Sequence, residues 1–507
     1  MKTRLWAVML FLPFLAICCG NKDNPVPDPE KDPVLTIDGA SEFSWNCEGG
    51  TATVKFNCDH DWTVSIEEDW VAANPAEGKA GAALQVTLTC AQNPKSTDRD
   101  MYILLVSGNT RVPVKVEQTG DPMAGAAPEV KNGDQVLATN PLVEKFLTEV
   151  DYEDKTYDQY TKIFDYYGGF DGKTLTWDNW ETEWPDGDKP CEFSIRWNEK
   201  DMESGKMNLH LQDELGWSGD MEIAAGARFV NITNLVPNDK YSFKVTTASG
   251  KAIAQGNFTT TGHLHQVFFT GPTTKKKGVI AKGSGARNAR DLGGWTGLDG
   301  KKVKYRKVYR GGRLNEKWTP YPLNAKGQQE VLFEGIGAEL DLRGNSDVIF
   351  EPAVPGLAHC APVIEEGGKT MLVSDHEKTK QCFEFVVNCV REGKPVYFHC
   401  SLGRDRTGTL DILLLGLLGV REGVIAKEYE VTYFAPVGYS VSSSDKKSNP
   451  IPTFHNTRMA WVYSDVVPYF WQLAGEGTFA EGVEKYLLEV AGVSQKDIDD
   501  FRNLMLE

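Results

Sequence analysis

Through residues 34–120 apolar and polar positions alternate in short runs, at 51–56, 62–66, 84–89, 101–106 and 111–116, with Gly, Asn and Pro between them. A period of two sends successive side chains to opposite faces of a strand, and turns at this spacing predict an antiparallel β-sandwich. A small-residue linker follows at 121–127, and 140–147 has the pattern of a short helix. Alternation returns between Lys173 and Gly262, most clearly at 193–197, 208–211, 230–232 and 241–247, and predicts a second sandwich. From about His263 the texture changes to short apolar strands such as 396–398 alternating with helix-like stretches such as 379–392 and 407–420. That alternation predicts a parallel or mixed α/β sheet. The expected order is a leader at 1–19, a tether at 20–33, a sandwich at 34–121, a linker with a short helix at 122–172, a sandwich at 173–262 and an α/β domain at 263–507.

Composition is consistent with several buried cores. The 507 residues are 41% hydrophobic and 25% charged, with 13 Trp, 17 Tyr and 23 Phe, which excludes a disordered or collagen-like chain. A net charge of −17 argues against a generally nucleic-acid-binding or polybasic membrane surface. At the N-terminus, Lys2 and Arg4 precede an apolar run at 5–17 that ends at Cys18-Cys19-Gly20 and turns polar. The run is short for a membrane span and its basic flank marks an export signal. A Cys directly after such a run, followed by a Pro- and Asp-rich tether, resembles the lipobox of bacterial lipoproteins. The resemblance implies a lipid on Cys19, favoured over Cys18 by the small residue before it, and a bacterial cell-envelope location with the membrane as partner, periplasmic or surface-facing. The other eight Cys have neither framework nor metal-ligand spacing.

Two local patterns point to known modules. Asp69-Trp70-Val71, Gly78, Gly81, Arg99 and the stretch 114–120 resemble the BACON-type immunoglobulin-like modules of bacterial surface proteins, which implies a glycan or surface partner. The stretch 235–245 followed by 256–260 resembles the end of a fibronectin type III domain. Trp177, Trp180 and Trp184 form either a sugar-stacking face or, more in keeping with aromatics in sandwiches, core.

The chemistry concentrates where a buried strand, 396–399, runs through Cys400-Ser401-Leu402-Gly403-Arg404-Asp405-Arg406-Thr407-Gly408 into an apolar helix. A strand ending on a Cys, a mid-loop Gly and a helix starting behind it make a nest of backbone N–H groups at the helix's positive end, where phosphate fits. The same field favours the thiolate, so Cys400 is the expected nucleophile. Arg406 supplies a planar fork for two phosphate oxygens, and Thr407 hydrogen-bonds the sulfur. His399 is expected to orient the loop. The sequence His399-Cys400-x4-Asp405-Arg406-Thr407-Gly408 resembles the signature of cysteine-dependent protein tyrosine phosphatases, with the secreted bacterial tyrosine and dual-specificity branch, some of which cleave phosphoinositides, as the closer match. That branch has Lys-Asp where this chain has Arg404-Asp405. Asn288-Ala289-Arg290-Asp291-Leu292-Gly293-Gly294, the stretch 309–314 and Gly337-Ala338-Glu339-Leu340-Asp341-Leu342-Arg343 follow the order of that family's N-terminal half.

The resemblance implies a metal-free and cofactor-free phosphatase acting on phosphorylated proteins, inositol phosphates or phosphoinositides through a phosphocysteine. It assigns phosphate binding to Ser401, Leu402, Gly403, Arg404, Asp405 and Arg406, and support to Asp341, Arg343, Arg290 and Asp291. Asp405 is the favoured general acid, with Glu365, Glu366 and Asp375 as alternatives. Between Lys275 and Lys317 fourteen Lys or Arg face only Asp291, Asp299 and Glu316, which is either a solvated run or a field that steers anionic substrates. Cys360 is a candidate partner for a protective reversible disulfide with Cys400. The rival from another class is a surface-binding lipoprotein with a pseudophosphatase domain.

Overall fold

A computed structural model describes residues 32–156, 159, 187–272, 275–276, 279–280, 285–316, 323–435 and 458–507. The leader with Cys18 and Cys19, and Trp177, Trp180 and Trp184, lie outside the described residues. The chain divides into two compact units, Met1–Ala124 and Gly125–Glu507. No helix among the described residues is long and apolar enough to cross a membrane.

In the first unit a four-stranded sheet (Leu35–Ile37, Gly50–Cys58, Gly81–Cys90, Val71–Asn74 in spatial order) faces a five-stranded one (Glu42–Trp45, Thr110–Gln118, Arg99–Ser107, Trp62–Ser65, Glu77–Gly78). Val54, Phe56, Val86 and Leu88 from one sheet and Ile103, Leu105, Val114 and Val116 from the other fill the space between them. The alternation read from the sequence is therefore the alternation of core and solvent. The residues that carry the module signature hold it together: Arg99 stacks 4.6 Å above the Trp70 ring and donates to Gln118 Oε1 at 2.9 Å, and the Trp62 ring covers Gly78 so closely that a Cβ there would lie 2.4 Å from it. Cys58 and Cys90 are buried and unpaired.

The second unit opens with a five-stranded sheet, Gln135–Leu137, Ala252–Thr261, Lys240–Thr246, Met207–Asp213 and Ser218–Ile223 in spatial order, together with the pair Phe193–Arg196 and Phe229–Ile232. A second five-stranded sheet follows, ordered Arg290–Asp291, Val308–Gly311, Val396–His399, Ala338–Asp341, Ala358–Cys360. Its first pair is antiparallel and the rest parallel. Val396–His399 is buried at every position, as a strand covered on both faces must be. The helix Asp405–Leu417 is buried throughout from Thr407 onward, so it is apolar all round rather than striped.

The boundary expected near Gly262 separates two textures but not two compact bodies. Helix Pro141–Glu149, expected within a linker, buries Val143, Phe146 and Leu147 in the same core as Phe398 and Leu410. Arg306 stacks 4.2 Å over Trp217 and pairs with Asp213 at 3.1 Å and with Glu334, while Trp217 Nε1 donates to the Phe333 carbonyl at 3.2 Å. Arg287 pairs with Asp188 across the same seam. Removing one partner of a buried ion pair costs about 3–5 kcal/mol, so a fragment spanning 263–507 is expected to melt at least about 10 °C below one spanning 125–507 in a fluorescence melting scan. Equal melting temperatures would show that the seam contributes nothing.

Candidate active site

The phosphate-binding geometry begins with the register of two strands. Gly311 lies beside His399, and Asp341 lies on its other side, so three strand ends converge where Cys400 leaves the sheet. The loop then turns at Gly403, whose φ of +72° belongs to the left-handed region and whose missing Cβ would lie 2.4 Å from Gly311 C. No side chain fits there, and Gly403→Ala is expected to reduce phosphate turnover by about 10-fold or more while leaving the far sandwich folded, as activity and circular dichroism on one sample would register.

Donors beneath and beside the loop draw its carbonyls away from the mouth. Arg313 Nη1 donates to Ser401 O at 3.1 Å, Asn288 Nδ2 to Leu402 O at 3.2 Å and to Gly403 O at 3.1 Å, and Arg310 Nη2 to Gly403 O at 2.8 Å. The amides of Ser401, Leu402 and Gly403 have no acceptor among the described residues, and the first turn of Asp405–Leu417 adds further unpaired N–H groups. This is a nest suited to an anion.

Cys400 sits at its floor, buried. Burial by itself would raise the thiol pKa, but the Arg406 charge, the Thr407 hydroxyl and the Thr407 amide outweigh it and hold the thiol below its ordinary value, against a small opposing push from Asp405. Thr407 Oγ1 is buried with no oxygen or nitrogen partner, which leaves its proton for the sulfur. Arg406 is anchored by one nitrogen, Nη1, to the Ile364 carbonyl at 2.9 Å. The segment that supplies this carbonyl lies across the helix start: Gly367 is so close that a Cβ would meet Asp405 C at 2.8 Å, and Gly368 N donates to Thr409 Oγ1 at 2.7 Å.

His399 is fully buried, with Nε2 2.9 Å from Glu339 Oε1 and Nδ1 3.2 Å from Cys400 O, a geometry that fixes the loop. Asp341 and Arg343 form a buried pair (2.7 Å) that reaches Asn315, and Arg343 together with His399 pulls the Asp341 carboxyl below its usual value despite burial. Arg290 lies beneath the loop, bound to Asn288 and Glu428. Asp291 does not join it. Its carboxylate faces the other way, to His265 at 3.0 Å and to the amides of Gly293 and Arg306, because one step along the strand reverses the side-chain direction. Arg404 is buried and directed at Asp405, 3.1 Å from Oδ1 and 3.3 Å from Oδ2.

Of the four carboxylates considered as general acids, Asp405 stands at the loop and its charge acts on Cys400. Glu365 accepts from both nitrogens of Asn345, Glu366 is exposed, and Asp375 pairs with Lys378 at 2.9 Å at the start of His376–Arg391. Asp347, which the sequence reading missed, accepts from Ser401 Oγ; burial would raise its pKa, but Ser401, Ser346, Arg406 and Arg343 together lower it.

Two expectations are corrected. Cys360 pairs in register with Leu340, and Leu340 with Phe398, so Cys360 is two strands from the strand that carries Cys400. At about 4.8 Å per strand that exceeds a disulfide's reach, and Cys360 instead faces Gln381 at 3.5 Å. The arginines of the basic run are paired, whereas Lys301 and Lys302 stay exposed and Lys277, Lys282 and Lys317 lie outside the described residues. Arg287, Arg290, Arg306 and Arg310 are buried in ion pairs with Asp188, Glu428, Asp213, Glu334 and Asp411, Arg313 pairs with Glu316, and Lys304 lies by Leu504 at the other end of the strands.

Below the loop, Arg310 Nη1 meets Asp411 Oδ2 at 2.5 Å and Glu428 Oε2 at 2.7 Å. Burial next to Glu428 drives the Asp411 carboxyl well above its usual range, whereas Arg290 and Arg310 overcome burial and keep Glu428 low. Within this pair Asp411 therefore holds a proton more readily than Glu428. The lone acid Asp411 inside the apolar stretch 409–418 was the signal for this cluster, because a charge is not buried without partners.

Comparison with known proteins agrees with this geometry. Residues 282–507 match the profile of the tyrosine phosphatase family, so the C-terminal part of the chain is similar to that family. Residues 60–119 match the BACON profile, described as "Putative binding domain, N-terminal". The chain is 29% identical over 167 residues to "Putative tyrosine-protein phosphatase H16_A0669" of Cupriavidus necator, a match that takes in 28% of this chain and 59% of that protein. Among solved structures, a GH5 xyloglucanase of Bacteroides ovatus in complex with a XXXG heptasaccharide is similar at 15% identity over 24% of this chain and 29% of that one, with a TM-score of 0.17. The FN1-FN3 domains of chicken CNTN1 are similar at 9% identity over 45% and 65%, with a TM-score of 0.13. Both likenesses are slight.

Proposed function

We propose that the chain is an extracytoplasmic phosphatase that hydrolyses phosphomonoesters, with phosphotyrosine or dual-specificity protein substrates, through a phosphocysteine at Cys400. The observation that carries this reading is the buried thiol held below its ordinary pKa by Arg406 and Thr407 at the floor of an open nest of amides. The Cys400 thiolate attacks phosphorus and the ester P–O bond breaks. Asp405 protonates the leaving oxygen, and water then cleaves the S–P bond with Asp405 taking its proton. Protein substrates are favoured over inositol polyphosphates because four of the arginines that would steer a polyanion are buried and neutralised. A lipid on Cys19 would tether the protein to the cell envelope, with an immunoglobulin-like module at 34–121 preceding a unit in which a fibronectin III-like part at 173–262 and the catalytic part at 263–507 form one compact body.

The test is phosphate release by residues 125–507, with EDTA and reductant present, from a phosphotyrosine peptide, a phosphoinositide and an inositol polyphosphate. Fastest turnover is expected on the peptide. Preference for the inositol polyphosphate would overturn the substrate assignment, and release from none of the three would leave a phosphate-binding pseudophosphatase.

A further inference from the structure

At the opposite end of the parallel strands from Cys400 lies a half-open crevice of about 520 Å³. The strands Val308–Gly311 and Val396–His399 run side by side toward Cys400, whereas Gly294, Trp295, Lys302 and Tyr305 gather at their starting ends, tied there by Leu292 N to Val308 O at 2.9 Å and Gly294 N to Val303 O at 2.8 Å. The other wall comes from the end of the second sandwich and from the chain after helix Pro141–Glu149. The crevice is thus a separate place in the same compact unit, and the phosphatase chemistry makes no use of it.

Its lining has three properties. Aromatic rings are present in Tyr152, Trp295 and Tyr305, and Trp295, which is 7% exposed, has an indole N–H with no hydrogen-bond partner. A buried donor left unpaired is destabilising, and a ligand oxygen or a water bridging to one would satisfy it. Charges of both signs are present and largely cancel: His263 pairs with Glu144 at 2.7 Å and Arg421 with Asp154, while at the rim Glu153 is an exposed acceptor and Lys302 an exposed donor that makes one long contact to Gly294 O at 3.4 Å. No field of a single sign exists to hold a second phosphate. The volume lies within the roughly 300–1,000 Å³ usual for small-ligand sites.

We infer that this crevice binds a neutral, hydroxyl-rich ligand of the size of one or two sugar rings. Such a ligand offers apolar ring faces to aromatic side chains and alternating hydroxyl donors and acceptors to a lining that mixes indole, phenol, carboxylate and ammonium groups. An inorganic anion meets Glu153 and Glu144, and a purely apolar ligand strands the polar lining.

The experiment is titration calorimetry of the full chain carrying Cys400→Ser, which silences turnover, against maltose, cellobiose, inorganic phosphate and glycine. It is repeated with Glu153→Ala and Lys302→Ala combined, two exposed positions whose change leaves the core intact, with a melting curve as the folding control. Saturable binding of at least one disaccharide, weakened tenfold or more by the double change at an unaltered melting temperature, is expected. No saturable binding of either disaccharide would overturn the inference. So would disaccharide binding indifferent to the double change, which would place it outside this crevice, or binding of phosphate or glycine in the disaccharides' place.

Discussion

Replacing Cys400 with Ser is expected to lower phosphate release by about four orders of magnitude or more, with the protein still folded, because catalysis by this loop depends on an ionised nucleophile. The field of Arg406, Thr407 and the nest is enough to bring a thiol below its ordinary pKa. A serine hydroxyl starts far higher and stays protonated in the same field. Arg406→Lys is the companion change: a point charge remains but the planar fork is lost, and a decrease of roughly two to three orders is expected. Alkylation reads the sign of the shift directly. With its pKa lowered, Cys400 keeps its thiolate at pH values where an ordinary thiol is protonated, whereas burial raises the pKa of Cys360, Cys382 and Cys389. Iodoacetate near neutral pH should therefore label Cys400 ahead of those three, and phosphate should protect it. Arg406→Ala should move the labelling profile to higher pH. Substantial turnover in Cys400→Ser, or labelling of Cys400 only under alkaline conditions, would remove the basis of the proposed mechanism.

The second large effect lies under the loop, where two carboxyl groups of similar burial are predicted to answer very unequally to the same kind of substitution. Glu428→Gln removes the ionised partner of Arg290 and Arg310, both fully buried, and is expected to cost about 3–5 kcal/mol in urea unfolding. Asp411→Asn replaces a protonated carboxyl with an amide that can still donate to Glu428, and is expected to cost about 1 kcal/mol or less. The pH dependence follows from the directions of the shifts. Glu428 has a folded pKa below its ordinary 4.5, so its stabilisation is complete above that value and is lost as pH falls toward the folded pKa. Asp411 has a folded pKa far above 3.8, so it costs stability once the unfolded chain ionises above that value, and Asn abolishes the cost. Acid-dependent loss of stability should shrink in Glu428→Gln and persist in Asp411→Asn. Equal destabilisation by the two changes would show that the proton is not lodged on Asp411.

The candidate thiolate loop could be read from the sequence for a physical reason. A thiolate, a phosphate nest and a guanidinium fork can be built from one strand, one loop and one helix start, and those nine residues are contiguous at 400–408. The first sandwich was equally open to reading, since alternation of exposed and buried side chains is a local property of strands. Asp291 shows where this reading stops: adjacent to Arg290 in a shared motif, it points to the opposite face and serves His265 and Arg306. The disulfide partner failed for a related reason, because the strand order that sets Cys360 two places from Val396–His399 is a property of the sheet and not of the interval along the chain.

By itself, then, the amino-acid sequence determined the elements whose interactions are short in range: the alternating strands, the apolar helix behind Cys400 and the loop residues that make a thiolate nest. The tertiary structure decided what depends on long separations. Glu428 and Asp411 were brought beneath Gly403 by helices that follow the loop, Asp188 and Asp213 from the sandwich side neutralised Arg287 and Arg306, and Asp347 was set on Ser401. A buried charge must find its counter-charge wherever the fold places one, and no spacing along the chain encodes that partner.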